Sequence, residues 1–218
     1  MATNAIVGAG AGGHARSLLE LFDALGDRLV VGLVDPDAAL HGTAVLGRPV
    51  LGGDEELERV FAAGVRAAFV GVGTVDGAGP RRRIFERLVE LGFELPVLCH
   101  PSAIRARSAM LGAGTVVLAG AIVNAQAVIG RNVIVNTGAI VEHDCRIEDH
   151  VHLATGCRLG GGVTIETGCH VGIGATVIQG VSVGAGALVA AGAVVVRDVP
   201  PGSRVAGVPA VPMKERRP

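Results

Sequence analysis

From Leu111 to Val195 every sixth residue is Val, Ile or Leu, fifteen residues without a slip. The fifth position of each six-residue unit holds Thr, Ala, Val or Cys. The fourth is Gly in ten units and Gln, Asn, Asp or His in the other five. A period of six with these preferences predicts a hexapeptide parallel β-helix. On a strand, positions five and one are two apart and point inward, whereas positions six and two point outward. Positions three and four then turn the corner, and Gly is favoured at four because the backbone there disfavours a Cβ. Three units close one triangular coil, so the fifteen units stack into five coils.

The pattern is different ahead of the repeat. "NAIVG" reads as a strand over residues 4–8, followed by "GAGAGG" and a helical run from about His14 to Ala24. A second strand, "RLVVGLVD", ends at Asp35, and a third, "AAFVGVG", ends at Gly73. A helix is expected over 80–91 and a fourth short strand before "CHPSA". Gly8, Gly10 and Gly13 match GxGxxG, and Asp35 lies 22 residues beyond Gly13. Strand, glycine loop, helix, strand and acid together point to nucleotide binding. Only half of a doubly wound domain fits into about 100 residues, so a mononucleotide diphosphate suits it better than NAD. The backbone N–H groups of the glycine loop and the helix N-terminus would hold the diphosphate. His14 could donate to it, or could be a partly exposed first-turn residue. Asp35 could accept from a ribose hydroxyl or a base N–H. The expected fold is therefore an α/β half-Rossmann domain over 1–105, a β-helix over 106–200 and a tail over 201–218.

Composition fits that division. Half of the residues are hydrophobic, but the only aromatics are five Phe, as a narrow interior of small aliphatics requires. The formal charge is −1, and with no Trp or Tyr there is neither a basic footprint nor a stacking platform for nucleic acid. No secretory signal and no apolar run of membrane-spanning length is seen, so a soluble cytoplasmic protein without membrane partners is expected. Cys99, Cys145, Cys157 and Cys169 form no CxxC pair, and the last three are twelve apart. That spacing belongs to the repeat and predicts core thiols rather than disulfides or metal ligands.

"VEHDCRIEDHVH", residues 141–152, holds three His and four acidic residues. The repeat separates them. His143 is at a corner with Asp144 in the turn position beside it, and His150 turns the next corner, where it is expected to be solvated. His152 and His170 face outward at position six, one coil apart. His143 and His152 are half a circuit apart, on the order of 15 Å at ~3.3 Å per residue. They cannot meet within one chain, and a site that uses both must lie between subunits. Ile173 and Ala191 stand one coil apart at the corner beside the His152 face, which suits a narrow apolar track. A metal site needs ligands converging on one ion, and these spacings do not bring them together, so no metal is expected. An acid adjacent to a corner histidine points to a tuned base.

"GAGGHA", "NTGAIVEHDCRIEDHVHLATG" and "VAGVPA", spread over nearly the whole chain, resemble the sialic acid O-acetyltransferase-like family. Its members include N-acetyltransferases acting on nucleotide-linked 4-amino sugars, such as those making bacillosamine and N-acetylperosamine. The resemblance implies a left-handed β-helix, acetyl-CoA as co-substrate, a UDP- or GDP-linked amino sugar as acceptor, and a homotrimer with active sites between subunits. It implies that His143 is the general base, that Asp144 raises its basicity and that His152 contacts acetyl-CoA near the thioester. Ile173 and Ala191 match the acetyl-CoA track, and Gly12, Gly13, His14, Asp35 and Gly73 match the sugar-nucleotide pocket. One departure is "GVPA" where many hexapeptide acetyltransferases carry "GNPA". Alternatives are transfer to a hydroxyl, as in sialic acid O-acetylation, a non-catalytic nucleotide-sugar-binding protein, and an oxidoreductase.

Overall fold

The computed structural model describes residues 4–74 and 79–213. The chain divides into two units. One runs to Gly73 and resumes from Gly79 to Val97; the other takes Thr74 and the chain from Leu98 onward.

The first unit is a small α/β sheet domain. Its strands are β1 (Ala5–Ala9), β2 (Leu29–Val34), β3 (Ala44–Val45), β4 (Arg48–Gly52) and β5 (Ala67–Val70), in the order β3-β4-β2-β1-β5. All neighbours are parallel except the β3–β4 hairpin. Helix α1 (Gly13–Leu25) buries Ala15, Leu18, Leu19 and Phe22 at helical spacing, and Phe22 meets Phe69 of β5 with ring centroids 4.9 Å apart. Helices α2 (Glu56–Ala62) and α3 (Gly79–Glu90) bring Leu57, Phe85 and Leu88 against Ala5, Val7 and Ala9. The hairpin and α2 were not predicted. The hairpin strand β3 is two residues long, and α2 buries only Leu57, so neither carries a usable period.

The fourth strand expected in this sheet is not part of it. Leu98–Cys99 instead pairs with Val116–Val117, and the sheet gains only an isolated Ala67–Glu94 bridge. The coil stack therefore begins at Leu98, ahead of the 105/106 boundary. Arg105 hides this in the sequence, because it occupies a position-one slot otherwise aliphatic, with its Nη2 donating to Ala109 O at 3.1 Å.

The second unit is a parallel β-helix. Two-residue strands pair in parallel with strands eighteen residues on, as in Ile122↔Ile140 and His152↔His170, in three sheets of six, five and eight strands, the last of which ends in Arg204–Ala206 and an antiparallel Val211–Pro212. Position-one residues from Val117 to Val195 are no more than 2 % exposed and make one continuous core with the position-five residues. Burying each such Val, Ile or Leu stabilises the fold by roughly 1.5–3 kcal/mol. Cys145, Cys157 and Cys169 are free thiols inside this core, and burial pushes the Cys157 thiol up to about 12 and that of Cys169 to about 11. Among the described residues of this unit the non-glycine residues with positive φ are Gln126, Asn132, Asp144 and His150, all at position four, the slot that glycine fills in most other units; Asn, Asp and His are enriched in that left-handed region.

Candidate functional site

His143 follows the strand Ile140–Val141 at a corner, and Asp144 (φ 60°) continues the turn. The Nδ1–H of His143 donates to Asp144 Oδ2 at 2.8 Å, which leaves Nε2 with no protein partner among the described residues. Both side chains are largely exposed. The Asp144 hydrogen bond is the main cause that holds the His143 pKa above the ordinary histidine value. Desolvation opposes it, and the negative charges of Asp144 and Glu142 add to it. Glu142 is itself held by Asn124 Nδ2 at 3.0 Å. Such a pair can take a proton at Nε2 and stabilise the resulting imidazolium.

His152 lies on the third face, in the strand His152–Leu153, and a corner stands opposite that face in each coil. It points outward as the repeat predicts, yet it is only 9 % exposed. Its Nδ1 lies 2.7 Å from Thr74 Oγ1 and 3.1 Å from Thr74 O, and its Nε2 lies 3.1 Å from Asn136 Nδ2. Because Asn136 Oδ1 accepts the Thr137 amide at 2.8 Å, the amide NH2 faces the ring. Nε2 must then accept, and the ring proton sits on Nδ1, facing Thr74. The neutral tautomer is fixed from both sides. His170 packs edge-on against the ring at 4.8 Å. Neither Asn136 nor Thr74 was singled out from sequence. Asn136 is at an outward position with a common residue type, and Thr74 lies outside the repeat.

His150 departs from expectation. It is 7 % exposed rather than solvated, and its Nδ1 is 2.9 Å from the amide of the equally buried Asn132, one coil earlier. Both residues have positive φ, which stacks their side chains at one corner. Ile173 (63 % exposed) and Ala191 follow successive strands of the His152 face, and Gly192 N donates to Ile173 O at 2.8 Å. The corner beside that face thus carries an uncovered apolar strip. Among the described residues no group of three His, Cys, Asp or Glu is arranged to hold a metal ion.

In the sheet domain Gly12 caps α1 with no side-chain bond. A Cβ on either Gly12 or Gly13 would project into open space, so the glycines leave the helix N-terminus bare. Gly10 (φ 106°) is different, since a Cβ there would meet Val72 Cγ2 at 2.6 Å. Asp35 spans the loop, with Oδ2 accepting Ala11 N at 2.8 Å and Oδ1 accepting Asp37 N at 3.0 Å. It thus orders the glycine loop, and any ligand contact uses its remaining lone pairs. Gly73 is against His14, where a Cβ would lie 3.5 Å from His14 Cβ. A cavity of about 410 Å³ opens beyond the carboxyl end of the sheet, lined by Pro36, Asp54, Leu57, Pro80, Arg83 and Ile84 among others. That edge is where open α/β sheets bind ligands. Arg81, 1 % exposed, donates through Nη1 to Val70 O (3.0 Å) and Val72 O (2.8 Å), tying down the tail of β5, and burial lowers its pKa to about 9.

Family models for the PglD N-terminal domain and for the bacterial transferase hexapeptide (six repeats) match residues 5–88 and 126–161. Comparison with curated proteins returned no match. Among solved structures, a histidine-to-asparagine variant of perosamine N-acetyltransferase from Caulobacter crescentus, in complex with CoA and GDP-perosamine, is 39 % identical with a TM-score of 0.92, covering 98 % of this chain and 99 % of that one. The acetyltransferase domain of PglB from Neisseria gonorrhoeae is 40 % identical at TM-score 0.88, covering 97 % and 100 %. WeeI from Acinetobacter baumannii is 25 % identical at 0.83, covering 96 % and 100 %. An α/β sheet domain joined to a left-handed hexapeptide β-helix is thus shared along the whole length, and the chain belongs to the PglD-type family of acetyl-CoA-dependent sugar N-acetyltransferases.

Proposed function

We propose that this protein transfers the acetyl group of acetyl-CoA to an amino group, at C4, of a UDP- or GDP-linked amino deoxy sugar. The observation that carries this reading is the corner dyad, with Asp144 on Nδ1 of His143 and Nε2 left open. The amine nitrogen attacks the thioester carbonyl while its proton passes to His143 Nε2. The new C–N bond forms, the C–S bond breaks, and the CoA sulfur leaves as thiolate and takes up a proton. Asp144 stabilises the imidazolium, and proton transfer of this kind typically contributes about 10²–10⁴-fold.

His152 contacts the acetyl-CoA end near the thioester in this reading. Its own N–H is committed to Thr74, so the amide of Asn136, which also faces Nε2, is the better donor toward a developing oxyanion. Ile173 and Ala191 flank the pantetheine arm. Gly12, Gly13, His14, Asp35 and Gly73 hold the sugar nucleotide. The cavity beyond the sheet edge is suited to its base. A homotrimer with sites between subunits, as the family resemblance implies, is supported by the placement of His143 at a corner and His152 on the opposite face, which can share a site only across two subunits. A cytoplasmic enzyme fits the free cysteines and the absence, among the described residues, of a helix long and apolar enough to cross a membrane.

Thiol release from acetyl-CoA with UDP- and GDP-4-amino sugars is the direct assay. Mixing His143→Ala with His152→Ala protein after subunit exchange should raise the activity above that of either variant alone. No recovery in demonstrated mixed trimers would rule out a shared site.

A further inference from the structure

The third position of the repeat carries a side chain in fourteen of its fifteen units, and in five of them that residue is Ala. Gly161 is the exception. It lies eighteen residues beyond His143, at the same corner one coil on, and Gly162 N donates to His143 O at 2.9 Å, which clamps the two corners together. Gly161 is not among the residues of positive φ, so its backbone is one that alanine adopts freely. A Cβ built on it, however, would lie 2.6 Å from Cε1, 2.7 Å from Nε2 and 3.2 Å from Nδ1 of His143. The imidazole occupies the very space that the other corners give to a side chain.

We propose that Gly161 is a positioning residue for the reaction: the missing side chain at this corner seats the His143 ring against the coil, in line with Asp144 and with Nε2 aimed at the acceptor amine. The inference rests on the reading of His143 as the base. The solenoid itself does not need glycine here, as the five alanine corners show. Ordinary contact begins near 3.4 Å, so a methyl group at 161 moves the ring by on the order of 1 Å. A displacement of that size at a reacting group can cost 10²-fold. It also lengthens the Nδ1–Asp144 hydrogen bond that raises the His143 pKa.

The test is Gly161→Ala, measured for kcat, acetyl-CoA KM, pH profile and thermal midpoint, alone and in the His143→Ala background. We expect kcat to fall about 10²-fold with KM near that of the native enzyme, and the acid limb of the profile to move to lower pH. Any cost in thermal midpoint should vanish once the His143 ring is removed. Native kcat with an unmoved acid limb, in a protein whose His143→Ala variant is inactive, overturns the proposal. So does an equal loss of stability in both backgrounds, which would make Gly161 a backbone requirement. Full turnover by His143→Ala would instead sink the assignment of the base.

Discussion

The corner that carries His143 and the face that carries His152 belong to the same β-helix, nine residues apart, and they treat the same side chain in opposite ways. The corner leaves its imidazole exposed, gives Nδ1 a carboxylate and leaves Nε2 open. The face buries its imidazole, gives both nitrogens uncharged partners and closes the stack with His170. A histidine that must gain and lose a proton needs solvent or substrate on one nitrogen and a charge on the other. One that must stay neutral and fixed needs amide and hydroxyl partners with little water. Position in the repeat decides which environment each receives.

The largest expected effect comes from removing the corner imidazole. His143→Ala should lower turnover by about 10²–10⁴-fold while the oligomeric state, seen by light scattering, and acetyl-CoA binding persist. Asp144→Asn keeps a residue that tolerates the positive-φ turn but removes the charge, and turnover should drop about tenfold, the low end for a charged hydrogen bond because the pair is exposed. The same variant fixes the sign of the pH effect. The proposed base, His143, must be neutral to act, and Asp144 raises its pKa, so without that charge the acid limb of kcat/KM moves to lower pH. An unmoved limb would mean that another group governs the profile.

Changes on the face should be smaller and of another kind. Asn136→Ala leaves Nε2 of His152 without its donor, and a several-fold loss in kcat/KM for acetyl-CoA is expected, from a neutral hydrogen bond of about 1 kcal/mol. The acid limb should stay where it is. Thr74→Val keeps the shape and removes only the hydroxyl on Nδ1, whose proton can still bond the Thr74 carbonyl. A two- to threefold rise in acetyl-CoA KM, on the order of a few tenths of a kcal/mol, is the smallest effect of the set. A pH shift in either variant would break the distinction between the two histidines.

Much of this was legible in the sequence, unevenly. The six-residue period located the fifteen inward aliphatics and the core cysteines, and it separated His143 from His152. Each coil repeats a geometry that depends only on its own six-residue units, so local pattern and tertiary position coincide. The sheet domain was less transparent. Its β1, α1 and β2 carry clear periods, but α2 buries a single residue and the β3–β4 hairpin is too short to alternate. "VLCH" reads as a strand in either domain, and only pairing with Val116–Val117 assigns it to the coil stack.

What the sequence determined alone is the set of elements whose physics is local: the strand-and-corner alternation, the glycine loop before α1, and the acid next to the corner histidine. The tertiary structure decided whatever depends on neighbours far along the chain. His152 reads as outward and therefore open until Thr74, seventy-eight residues away, is found against it. His150 reads as a solvated turn until Asn132 stacks beneath it. Gly161 reads as one more glycine in a glycine-rich tract until the His143 ring fills the space its side chain would need. Burial and contact are properties of pairs, and a sequence names only one member at a time.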